Sequence, residues 1–233
     1  MRAQRWGGMD DLARRVYAKL ARFQITLALL IFVPACSLTY WQGWLVWALF
    51  LICCVAITQY FLAHDRALIE RRMESGPAAE REPRQKLIQT LSSVLVMAIF
   101  LVSALDHGGG WSSVPPAAVL TGAALIVLGF AVMFQAFRDN SFAASIIQVV
   151  RGQRVVDTGL YARVRHPMYS GALVTFAGIP IALASWWGLV PAVLLAGAIA
   201  WRLTDEERFL ARNLTGYEAY RGRVSARLVP GVW

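Results

Sequence analysis

Residues 159–171, GLYARVRHPMYSG, place two arginines, a His-Pro step and two tyrosines directly before a long apolar run. Arg202, Glu206 and Glu207 answer them at the far end of that run. Charges so close to apolar sequence must be paired or functional to be tolerated beside lipid. The chemistry these types allow is ligand binding at a membrane surface, with arginine for an anionic group and glutamate for a cationic one. Gly159 permits a bend, Pro167 biases His166 towards extended backbone, and Gly171 allows close helix approach. Arg202 and Glu206 lie four apart on one helix face, with Glu207 turned about 100° away. The plain alternative is an Arg202–Glu206 ion pair at the membrane boundary, with Glu207 solvated and the neighbouring arginines touching headgroups.

The elements that carry these residues must lie in a membrane. Hydrophobic residues make up 58% of the chain and charged residues 16%, where an ordinary globular domain carries about 25% charged. Residues 23–40, 44–62, 87–105 and 115–137 each approach or exceed the ~20 residues that cross a bilayer as a helix. The fifth apolar region, 167–203, is too long for one pass, and Ser185, Trp186, Trp187 and Gly188 form a turn-capable break at its centre. Two short helices joined there return Arg202 to the depth of Tyr169. The expected fold is an all-α polytopic membrane protein of about six transmembrane helices, four plus a C-terminal helical hairpin, with a cytoplasmic cofactor-binding loop.

Charge placement gives the same topology independently. Of the 23 Lys and Arg, six precede the first span, six fall in 66–86, five in 138–165 and six in 202–227. None remains for the short connections at 42–43, at 106–114 or at the Trp186 turn. The positive-inside rule then puts both termini and the site in the cytoplasm. A net charge of +9 follows from this asymmetry and favours anionic headgroups. No basic soluble domain exists to carry nucleic acid.

Residues 1–22 form a basic interfacial N-terminal segment, 23–137 four spans, and 138–233 the loop, hairpin and tail. The first segment reads as an interfacial helix rather than a cleaved signal. Cys36, Cys53 and Cys54 fall within expected helices without metal-ligand spacing, so neither disulfide nor metal is expected. Residues 74–83, with Gly76, Pro77 and Pro83, read as a flexible linker. Residues 146–150 and 155–161, flanking Arg151-Gly152-Gln153, suggest a small hairpin or a folded loop with extended arms over the helix ends.

The R-H-P-x-Y-x-G run at 165–171, the segment 202–207, and the tail with Gly216, Tyr217, Tyr220, Val224 and 227–230 resemble integral-membrane methyltransferases of the isoprenylcysteine carboxyl methyltransferase type. The resemblance covers roughly 140–233 and is much less specific for the substrate than for the superfamily. It implies binding of S-adenosylmethionine by Gln148, Gln153, Arg154, Val155, Val156, Tyr161, His166, Pro167, Met168, Tyr169 and Glu206, with Arg202 meeting the substrate. Arg202 and Glu206 are the implied catalytic pair. Glu206 compensates cationic charge, and Arg202 grips a carboxylate that needs no general base because it is already ionised.

The implied substrate is lipid-like or prenylated, entering sideways from the bilayer among membrane lipids. Arginine outnumbers lysine 21 to 2, which suggests a GC-rich bacterial source, an inner-membrane location and a small lipid acid or other amphiphile as acceptor. Two other enzymes share the architecture. A phospholipid N-methyltransferase would need an acidic group, Glu206 or Glu207, to take a proton from its amine. A sterol-type reductase would use NADPH, although no G-x-G-x-x-G fingerprint is present. A non-enzymatic scaffold is the remaining alternative, and sequence carries no oligomeric state.

Overall fold

The computed structural model describes residues 3–73, 75–80, 82–143, 145–147, 149 and 152–233, with backbone alone for 3–10. Eight α-helices occur among them: α1 (Ala3–Ala35), α2 (Trp41–His64), α3 (Arg66–Met73), α4 (Pro83–Gly109), α5 (Pro116–Asp139), α6 (Pro167–Ala182), α7 (Leu189–Asn213) and α8 (Tyr217–Arg223). No strand occurs among the described residues. Four helical stretches are long and apolar enough to cross a membrane: Asp11–Ala35, Trp41–His64, Pro83–Gly109 and Pro116–Asp139. Helix α6 is a shorter apolar helix, and α7 is apolar only until Arg202. The chain is an all-α polytopic membrane protein.

Local sequence sets several of the boundaries. Helices α4, α5 and α6 each begin with a proline, which suits a position where no N–H is required. Helix α4 stops at Gly110, in the left-handed conformation that closes many helices. Large apolar side chains such as Ile25, Ile52, Leu120 and Val193 point outward. Such exposure is expected when the surrounding solvent is lipid.

The core joins α1, α2, α4, α5, α6 and α7 through residues such as Ile31, Val46, Ile99, Ile126, Ile179 and Leu195. The closest approach is between α5 and α6, where glycines face one another at two levels. A Cβ on Gly171 would lie 2.7 Å from the carbonyl oxygen of Gly129, and one on Gly178 would lie 2.7 Å from that of Gly122. The partners run in opposite order along the two helices, so the contact is an antiparallel seam of small residues. At the other end of the hairpin, Asp106 is buried and accepts hydrogen bonds from Ser112, at 2.6 Å, and from Ser185. Ser185 also caps the turn by accepting from the Gly188 N–H at 2.9 Å.

Several expectations are corrected by this arrangement. The basic N-terminal segment and the first span form one unbroken helix, α1. Its turn comes at 36–40 rather than 42–43, and Cys36 sits there exposed, outside the helices. Pro34 removes a helical N–H near the end of α1, and the chain leaves the helix just after it. The 146–161 segment is a folded loop among its described residues, not a β-hairpin. The supposed flexible linker 74–83 holds a 3-10 turn, Pro77–Ala79, and buries Glu80.

Candidate active site

The hairpin brings its two motifs together as the sequence requires. Helix α6 starts at Pro167 and exposes Met168 and Tyr169 at its first turn, while α7 returns Arg202, Glu206 and Glu207 beside them. The Tyr169 hydroxyl donates to Glu206 Oε2 at 2.7 Å and accepts from Arg202 Nε at 3.0 Å. Arg202 and Glu206 do share a face, yet they meet through this phenol.

The ion pairs differ from the plain alternative. Arg202 pairs with Glu80, Nη2 to Oε1 at 2.7 Å, and its other donors reach Ser145 O at 3.1 Å and Gln85 Oε1 at 3.3 Å. Four of its five N–H groups are therefore committed within the protein. Glu207 is not solvated but buried, and two arginines and a histidine surround it. Arg165 Nε lies 2.7 Å from Oε1, His166 Nε2 3.2 Å from the same oxygen, and Arg227 Nε 3.1 Å from Oε2. Burial raises the Glu207 carboxyl, but these hydrogen bonds outweigh it and hold the group at about 2.

The tail completes this lower layer. The Arg165 and His166 N–H groups donate to Ala226 O and Arg227 O at 3.0 and 2.9 Å. Arg165 Nη1 reaches Val224 O and Ser225 O, and Ser170 Oγ reaches Leu228 O. The tail motif and the R-H-P motif are thus one structural unit, with Glu207 as its anionic centre.

Above it opens a narrow cleft of about 110 Å³. Gln153, Arg154, Val155, Val156, Tyr161, His166, Met168, Tyr169 and Glu206 all line it. Pro167 begins α6 behind the wall, and Gln148 lies outside the described residues. Arg202 lines a second, largely apolar cavity of about 600 Å³ between α1, α4, α6 and α7. Met168 and Tyr169 border both spaces, so they form the partition between a polar cleft and an apolar one.

Residues 117–215 match the model of the phospholipid methyltransferase family. The match indicates a membrane methyltransferase. It runs from α5 through the loop, α6 and α7, and so covers both halves of the constellation around Tyr169. No curated protein matches the chain.

Residues that were not singled out as site residues also contribute. Tyr217 and Tyr220, noted in the sequence only as part of the tail resemblance, line the cleft. The Tyr217 hydroxyl is buried with no hydrogen-bond partner among the described residues. Burial, then the Glu207 and Glu206 carboxylates, push this phenol above its usual value, so it stays a donor. Glu80 and Gln85, which fix Arg202, gave no local signal, because both come from the chain more than a hundred residues earlier.

Proposed function

We propose that this protein is a membrane-embedded S-adenosylmethionine-dependent methyltransferase acting on the amine of a lipid-like acceptor. The observation that carries this reading is the Tyr169 hydroxyl. It stands between cleft and cavity and is tied to a carboxylate on the cleft side and a guanidinium on the cavity side.

The cleft residues fit the cofactor. Glu206 offers a carboxylate to a cationic ligand, Tyr161 and Tyr169 offer aromatic faces, and the Tyr217 hydroxyl, without a partner among the described residues, is open to a polar atom of such a ligand. The 153–156 arm, His166 and Met168 would complete the binding surface. When bound, S-adenosylmethionine supplies an electrophilic methyl group on a sulfonium. The protein's own residues would align the acceptor at Tyr169, exclude water with the apolar walls, and take the ammonium proton on Glu206. The proton displaced from the acceptor nitrogen would pass through Glu206 to solvent.

The amine reading is favoured over the carboxylate reading by the state of Arg202. A bidentate grip on a carboxylate needs two free, parallel N–H groups, and four of the five are already occupied. The family match of residues 117–215 supports the same choice. The test is methyl transfer by purified protein to an ethanolamine-headgroup lipid compared with a prenylcysteine acid, with titration of S-adenosylhomocysteine and NADPH alongside. Methylation of the amine with binding of S-adenosylhomocysteine is expected. Methylation of the acid alone would return the carboxylate assignment, and binding of NADPH alone would replace the reaction class.

A further inference from the structure

Arg72, at the end of α3, has no carboxylate within ion-pair distance among the described residues, unlike the buried Arg165 and Arg202. Its guanidinium lies over the Phe137 ring at 4.2 Å, and Nη1 lies 3.6 Å from Met168 Sδ. These are weak substitutes for a counter-ion. Arg72 is only partly buried, and the water it has lost lowers it to about 10. A cation held this way without an anion is costly unless a ligand supplies one.

The space around Arg72 suggests what that ligand is. Arg72 borders the apolar cavity of about 600 Å³ that reaches Tyr169 and Arg202. It also borders a neighbouring cavity of about 560 Å³ reaching Lys19. Phe23, Ser75, Met133 and Ser145 belong to both, so the two spaces adjoin at the guanidinium. Lys19 Nζ is fixed at the outer edge by Met73 O at 2.5 Å and Ser75 Oγ at 3.3 Å. Arg72 thus faces an apolar cavity with no carboxylate paired to it among the described residues, and Lys19 stands at the rim of the adjoining one. Because Arg72 touches Met168, an anion bound to it lies one residue along α6 from the Tyr169 hydroxyl.

We infer that Arg72 is the receptor for an anionic group, phosphate or carboxylate, carried by the acceptor amphiphile in addition to the atom that is methylated. The chains of the amphiphile fill the cavity between α1, α4, α6 and α7. This deepens the methyltransferase reading and rests on it for the word acceptor, while the anion site itself stands on Arg72. The anion selects the substrate and sets its depth, so that the methylated atom meets the partition at Tyr169.

The test uses the full chain in a maltoside detergent, titrated calorimetrically with dodecyl phosphate, dodecanoate and dodecanol. Wild type is expected to bind at least one of the anions about tenfold more tightly than the alcohol, the scale of one charge-assisted hydrogen bond. The stronger of the two anions identifies the headgroup. Arg72→Gln should erase the preference and leave S-adenosylhomocysteine binding unchanged, whereas Arg72→Lys should keep part of it. Equal binding of anion and alcohol by wild type, or a preference that survives in Arg72→Gln, overturns the inference. If Arg72→Gln does not fold, the wild-type preference and its weakening in Arg72→Lys decide, and a preference unchanged in Arg72→Lys counts against the site. Loss of S-adenosylhomocysteine binding in wild type with the anion preference intact would sink the cofactor assignment and leave the anion site standing.

Discussion

Glu206 and Glu207 are neighbours on α7 with opposite surroundings: the first faces the open cleft through Tyr169, and the second is enclosed by Arg165, His166 and Arg227. Their substitutions should therefore fail in different ways. Glu206→Gln keeps the hydrogen bond to Tyr169 but cannot take a proton, so methyl transfer should fall about 10²- to 10⁴-fold with the fold intact. Equal rates in the two proteins, measured by label entering extracted lipid, would remove Glu206 from the chemistry. Glu207→Gln leaves the Arg165 and Arg227 guanidinium groups around a neutral amide and should cost about 3–5 kcal/mol of stability. Because the folded carboxyl lies near 2, below its ordinary 4.5, Glu207 stabilises fully above about pH 4.5 and loses that contribution as pH falls towards 2. Thermal unfolding in detergent should show this acid-side loss in wild type, and its absence as a difference from Glu207→Gln would contradict the assignment.

At the level of elements, the hairpin depends on how close α6 comes to α5. Gly171→Val places branched methyls against the Gly129 carbonyl and the Met133 side chain, and should destabilise by about 1–3 kcal/mol as the helices part. Because Tyr169 rides on the same first turn of α6, cofactor binding should weaken with it. Unchanged melting and unchanged S-adenosylhomocysteine affinity would show that the seam is not what sets the position of Tyr169. The spans, the Trp186 turn and the meeting of Tyr169 with Arg202 were legible from hydropathy and counting, since helix length and membrane thickness leave few alternatives. The close approach at Gly171 was legible too. The partners of Arg202 and Glu207 were not, because helical spacing reports neighbours on one helix, whereas Glu80, Arg165 and Arg227 arrive from other segments. Glu80 in particular sits in a stretch whose Gly and Pro content reads as a loop, and sequence cannot say that a loop is anchored by one buried carboxylate.

For the molecule as a whole, the arginine-rich ends and the turns without Lys or Arg argue one orientation. Cys36 supplies a native probe of it, exposed at the α1–α2 turn on the side with no Lys or Arg. A membrane-impermeant maleimide should label Cys36 in intact cells, and a cysteine placed at Asn213 only after the cells are opened. The reverse pattern would place the cleft outside the cytoplasm.

The Glu80–Arg202 clamp has a consequence for how this enzyme-like region can be inherited or dissected. The stretch 117–215 carries the recognisable motif, yet the charge that neutralises its deepest arginine is donated by residue 80. Excised on its own, that stretch would leave Arg202 without its direct ion-pair partner, so the preceding part of the chain serves as an electrostatic keystone as well as a membrane anchor.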